Sequence, residues 1–356
     1  MPASVPPSSV AAPPAPPSPP EDPTEHLRFR HTWVLWDNAV NAQALGLGRT
    51  YQSADPTYTM TGSFLPRYYL YDGGGVDAIT VDARVDVIHE FTNSDVTTRH
   101  GETTLSDATL AVGYARMLAL SGDYETILSL KAPVLTFPTS KFSMENGTYL
   151  GLGTELRLAQ GMPLAGAGAP VFQRLITRLS VGYNHTFTRS STPANPELRR
   201  FRLTPEGRTV PGDQLTGVAF PEHELSLRGR LLADVTDRLA WWFEVSYLPT
   251  WKYGFGNVDV CVVTGCAPAA RPVDPSIFAV VTGFQTEFMF ELIPELGVSL
   301  GYVNVATQPG LDGQRRSIFY SPGAQLYLEF VGYIDAMYAA AKGHRGEVGG
   351  GHHIRP

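Results

Sequence analysis

Charged side chains that recur at every second position, with apolar residues between them, are the groups in this sequence best placed to act on a solute. In ITVDARVDV (79–87), Asp82, Arg84 and Asp86 alternate with Ile79, Val81, Ala83, Val85 and Val87. Glu224, Ser226, Arg228 and Arg230 alternate with Leu225, Leu227, Gly229 and Leu231, and Arg174, Arg178, Ser180 and Asn184 with Leu175, Leu179, Val181 and Tyr183. Arg67, Lys131, Glu155, Arg157, Glu244, Glu287 and Glu329 hold the same phase in their own segments, as do Arg28 and Arg30. On an extended strand this period of two collects the apolar groups on one face and the charges on the other. Such charges would be prohibitive in hydrocarbon but are tolerated in a watery or well-paired interior. Their chemistry is electrostatic, the attraction and repulsion of something that passes.

Five arginines come from adjacent segments. Arg174 and Arg178 lie on one, Arg228 and Arg230 on the next and Arg157 on the one before, with Glu244 on the one after. The reading expects them to meet near the short turns, where unpaired cations would favour anions as charged rings do in selective pores. A ladder of salt bridges between neighbouring strands is the alternative, and a bulge would turn a whole set to the other face.

Other chemistry is thinly represented. Cys261 and Cys266, in CVVTGC between two strand-like segments, are expected to form a disulfide that staples one loop. Two unpaired loop thiols are the alternative, and too few ligands lie nearby for a metal site. His89, His185 and His223 fall on the apolar phase, and none is followed two positions later by the Ser that would make a nucleophile–base pair on one face. The glycines at 73–75 read as a turn and not as a phosphate-binding loop. No catalytic residue, metal ligand or cofactor is assigned.

The elements that must position these charges are strands. The alternation defines about twelve segments, near 28–37, 57–71, 78–91, 104–117, 124–136, 148–160, 172–188, 223–235, 239–252, 276–290, 296–307 and 317–333. Several exceed ten residues, as a tilted strand crossing a bilayer requires. The connections alternate in length, with tight links at 72–75, 121–123, 235–238 and 293–295, and a longer one at 161–171, on one side. Those at 38–56, 92–103, 137–147, 189–222, 253–275 and 308–316 on the other side are long. Short periplasmic turns opposite long extracellular loops, with an even strand count, describe a single antiparallel transmembrane β-barrel with periplasmic termini.

Composition agrees. Charged residues make up only 17% of the chain, and Gly (35), Tyr (16) and Phe (17) are frequent, which suits strands, turns and interfacial girdles. Trp33, Trp36, Trp241, Tyr247 and Trp251 fall where a span would meet headgroups. No run of 18 apolar residues is present, so no transmembrane helix is expected. A net charge of −7 argues against a nucleic-acid partner. Residues 1–25, rich in Pro, Ala and Ser, are expected to be an extended leader, 26–338 the barrel and 339–356 a polar tail in which His352 and His353 are incidental. Met1 runs into PASVPP with neither a basic nor an apolar leader region, so a trimmed signal peptide, or a start chosen downstream of one, is expected, with a protein that stays in the cytoplasm as the alternative.

Three stretches carry a loose family resemblance across about the middle half of the chain: LSDATLAVGYAR (105–116), KAPVLTFPT (131–139) and ELSLRGRLLADVTDRLAWWFEVSY (224–247). They resemble the transporter-type outer-membrane barrels of Gram-negative bacteria described as channels for aromatic compounds. The resemblance implies a bacterial outer-membrane barrel that transports solutes and does not identify the solute. The sequence departs from the usual outer-membrane pattern in lacking a terminal Phe.

The resulting expectation is an outer-membrane channel passing small polar or anionic solutes by diffusion, with membrane lipid around it and Arg157, Arg174, Arg178, Arg228, Arg230, Glu244, Arg84, Asp82 and Asp86 as pore-lining selectivity candidates. A plugged barrel anchoring a periplasmic or surface protein partner is the second reading, and an outer-membrane hydrolase the third.

Overall fold

The computed structural model describes residues 24, 26–45, 56–74, 76–92, 100–119, 125–145, 147–164, 171–189, 200–203, 209–212, 220–254, 259–262, 265–268, 278–309 and 315–343. The leader, most of the tail and the tips of several connections lie outside them.

Alternating sequence becomes alternating strand. The elements run β1 (Trp33–Asn41), β2 (Tyr58–Leu65), β3 (Arg67–Asp72), β4 (Asp77–Glu90), β5 (Thr103–Leu105), β6 (Ala108–Ala119), β7 (Glu125–Phe137), α1 (Lys141–Glu145), β8 (Thr148–Pro163) and β9 (Arg174–Thr188). They continue as β10 (Arg200–Leu203), β11 (Thr209–Gly212), β12 (Pro221–Asp234), β13 (Leu239–Lys252), β14 (Asp259–Val262), β15 (Gly265–Pro268), β16 (Phe278–Ile293), β17 (Leu296–Gln308), β18 (Gln325–Tyr333) and α2 (Ile334–Ala341). The main sheet pairs each strand antiparallel to its neighbours, and β1 closes the ring on β18 from Trp33 opposite Tyr333 to Asn41 opposite Gln325. Because Pro66 has no N–H to give the ladder, β2 and β3 are two pieces of one span, with the Pro66 carbonyl still accepting from Ala83 N at 2.9 Å. The result is a closed twelve-span barrel. Hairpins β10–β11 and β14–β15 and the short β5 belong to the long connections.

The two largest differences from the expected boundaries fall at the start of the first span and of the last. The first span begins at Trp33 and not at 28, and the last begins at Gln325 and not at 317. Residues 26–31 form turns held by side chains: Arg30 pairs with Asp72 at 2.5 Å and its guanidinium lies 3.7 Å over the Tyr69 ring. Arg28 donates to the Tyr69 carbonyl at 3.2 Å. These polar anchors and a single backbone bond, from Tyr69 N to the Arg28 carbonyl at 2.7 Å, hold Arg28 and Arg30 outside the strand ladder, so strand parity does not apply to them.

Connection lengths alternate as the sequence indicates. At one short turn Gly74 takes φ +66°, a left-handed conformation open to glycine, and its N–H donates to Asp72 Oδ1 at 3.2 Å. At another, Thr236 Oγ1 accepts from Leu239 N at 3.0 Å. On the opposite rim, α1 is tied down by Lys141 to Glu102 at 2.8 Å and by Ser143 to Asp107. Both ends of the barrel emerge on the short-turn side.

The two faces of the wall have opposite chemistry. Val34, Trp36, Leu70, Leu156, Leu179, Val181, Phe288, Leu300 and Leu328 all point outward and are exposed. A belt of large apolar groups this extensive would not persist in water and identifies the surface as lipid-facing. The buried apolar clusters are small and lie inside, near the short turns. One joins Ile176, Leu232, Trp242 and Met289. The other packs Val331, Tyr333, Trp33 and Leu35 against Ala336 and Ala339 of α2.

Candidate functional site

Above these apolar clusters lies a layer of charge. Arg178 stands four residues from the short-turn end of β9, Arg230 four from that of β12, Asp37 four from that of β1 and Glu329 four from that of β18. At about 3.3 Å per residue this puts all four at a common level, roughly 13 Å along their strands.

The layer has two sides. Arg157, Arg178 and Arg230 come from the neighbouring strands β8, β9 and β12, with Arg178 and Arg230 direct cross-strand partners. Glu287, Glu329 and Asp37 come from β16, β18 and β1, with Asp37 directly opposite Glu329. In the ring of twelve spans β9 stands six places from β1, so the basic wall faces the acidic one across the barrel.

Each wall is partly self-neutralised. Arg157 Nη2 donates to Glu155 at 2.7 Å, and Arg230 Nε donates to Glu244 at 2.9 Å while its guanidinium lies 4.1 Å over the Trp242 ring. Asp82 joins Arg67 at 2.7 Å and Lys131 at 2.8 Å, and Arg84 joins Asp86 at 2.9 Å. On the acidic side Tyr327 donates its hydroxyl proton to Glu287 at 2.5 Å and accepts from Gln285 at 2.8 Å. Asp37 Oδ1 and Arg157 Nε are buried with no hydrogen-bond partner among the described residues. In a barrel interior, water or a passing polar solute satisfies such atoms.

A cavity of about 460 Å³ opens against the basic wall, lined by Arg67, Arg84, Lys131, Arg157, Arg178 and Arg230 among others. A second, of about 210 Å³, adjoins it on the side away from the short turns, sharing Val134 and Glu155 and adding Glu224, Asn184 and Arg228. The five arginines of the sequence reading therefore separate. Arg157, Arg178 and Arg230 share one cavity and Arg228 lines the other. Arg174 does not join them, because it is paired with Glu125 on β7 at the start of its strand. Parity orders residues along a strand but not the direction in which long guanidinium groups reach. No local pattern marks the acidic wall as a unit, because its members lie far apart in sequence; only closure of β1 on β18 unites them.

Cys261 and Cys266 stand directly opposite each other in the β14–β15 ladder. Their side chains lie outside the described residues.

No protein-family model matches the sequence, and no curated protein matches it. Among solved structures, an outer-membrane channel from Pseudomonas putida F1 is similar at 11% identity and TM-score 0.48, covering 87% of this chain and 97% of that one. The NanC porin is similar at 8% identity and TM-score 0.37 (85% and 98% covered). Outer membrane phospholipase A from Escherichia coli is similar at 9% identity and TM-score 0.29 (85% and 91% covered). These likenesses are remote.

Proposed function

We propose that the protein is an outer-membrane channel through which small polar solutes, anions among them, diffuse without chemical conversion. The observation that carries this reading is the charged layer inside a barrel whose outside is apolar. Burying that many ionic groups stabilises a fold poorly, so their retention in a lumen points to contact with water and solute. The basic wall and its cavity offer anions a track, and the facing carboxylates keep the lumen from being uniformly positive. With twelve spans the interior is narrow, and the inward side chains set the size limit. In this reading the short turns and both ends face the periplasm, and the long connections face outside.

Swelling of liposomes that hold the protein, in isotonic solutes of graded size and charge, tests it. Swelling in small polar solutes, falling steeply with size, is the expected result. One observation favours the second reading, a plugged barrel that anchors a partner: the apolar clusters and α2 crowd the short-turn mouth. That reading expects no swelling and a periplasmic or surface protein that co-purifies.

A further inference from the structure

Three side chains with metal-binding donors converge on the outward face, near the long-connection ends of β9 and β12. His185 and His223 are direct cross-strand partners, and their Nδ1 atoms lie 3.1 Å apart. Glu222 precedes His223, and on a regular strand consecutive residues point to opposite faces. Here the ladder shifts: Pro221 opposes Lys252 and His223 opposes Trp251, leaving Glu222 as the extra residue of a bulge. A bulge re-aims a side chain. One donor atom from each of the three residues lies within 4.8 Å of the other two.

We propose that His185, His223 and Glu222 bind one divalent transition-metal cation of the zinc type. Two metal–nitrogen bonds of about 2.0–2.1 Å closing on nitrogens 3.1 Å apart enclose an angle of about 98°, between the octahedral and tetrahedral values. Two imidazoles and one carboxylate suit zinc and its first-row neighbours, whereas calcium and magnesium prefer all-oxygen shells. The side chains of His223 and Glu222 are 38% and 32% exposed, so a cation enters without backbone movement. Phe187 packs edge-on against the His185 ring at 4.2 Å between centroids and restricts its rotation. The Tyr183 hydroxyl, 2.7 Å from His223 Nδ1, is displaced as a partner when the cation takes that nitrogen. The bound cation joins β9 to β12 at the foot of the connection between them.

The site is independent of the channel reading, and its test does not use conductance. Zinc chloride is titrated calorimetrically into the detergent-folded full chain carrying His344→Ala, His352→Ala and His353→Ala, which removes tail histidines as competitors. One equivalent of zinc is expected to bind, with binding lost in His185→Ala and in His223→Ala and retained in Tyr183→Phe. Each variant is first shown to be folded by its heat-modifiable gel mobility. Zinc is also expected to raise the melting temperature of the parent but not of the histidine variants, because a ligand of the folded state stabilises it by mass action. Absence of zinc binding to the parent, or one equivalent bound equally by the His185→Ala/His223→Ala double variant, would overturn the proposal.

Discussion

Tyr327 of β18 reaches across Gly301 of β17 to donate its hydroxyl proton to Glu287 of β16 at 2.5 Å. The three residues share one row of the ladder, and the ring occupies the space a side chain at 301 would need: a Cβ there would lie 2.0 Å from Tyr327 Cζ. Gly301 is therefore a close-approach glycine, and the bond fixes one carboxylate of the acidic wall.

Gly301→Ala is expected to displace the buried ring and destabilise the barrel by about 1–3 kcal/mol, the range of an overpacked core position. A fall in the urea midpoint of the vesicle-inserted protein checks this. Tyr327→Phe keeps the ring but leaves Glu287 without its hydroxyl donor, at a cost of about 1.5–3 kcal/mol if no water replaces it. An unchanged midpoint in both variants would mean that the row is loosely packed.

The opposed walls predict opposed effects. Arg178→Gln with Arg230→Gln is expected to move the reversal potential in a salt gradient toward cation preference. Asp37→Asn with Glu329→Gln is expected to move it toward anion preference. Arg174→Gln is expected to change it least, because Arg174 is paired with Glu125 near the turns. Equal shifts from Arg174 and Arg178 would remove the distinction between the layer and its margin.

The short-turn mouth is narrowed by chain from both ends of the barrel. Asp335 at the start of α2 accepts from His31 N at 2.9 Å, and Phe29 meets Tyr338 edge-on at 5.4 Å between centroids. Ending the chain after Tyr333 is expected to raise single-channel conductance while leaving reversal potential nearly unchanged, since it strips the mouth and not the charged layer. Unchanged conductance would place the narrowest point elsewhere.

The facing positions of Cys261 and Cys266 predict a disulfide in protein isolated from an oxidising compartment. Mass spectrometry of the digested protein, before and after reduction, is expected to show the two residues in one linked species. Free thiols on both would contradict it.

Much of the barrel was legible in the sequence because side-chain alternation and connection length are local. ITVDARVDV around Arg84 needs nothing distant to declare its two faces, and the turn at Thr236 is written in four residues. What was illegible depends on closure or on irregularity. Asp37 and Glu329 lie at opposite ends of the chain and become neighbours only when β1 meets β18. Glu222 joins two histidines only through a bulge that no pattern of alternation announces. Alternation alone starts the first span too early, because Arg28 and Arg30 imitate the phase of strand residues while binding Tyr69 and Asp72 from a turn.

Whether the charged lumen conducts is read from the detergent-folded protein in a planar lipid bilayer under asymmetric salt. Discrete, reproducible conductance steps are expected, with a reversal potential that shifts on substitution of Arg178 and Arg230. No steps from protein shown to be folded and inserted, with α2 both present and removed, would contradict a lumen that conducts.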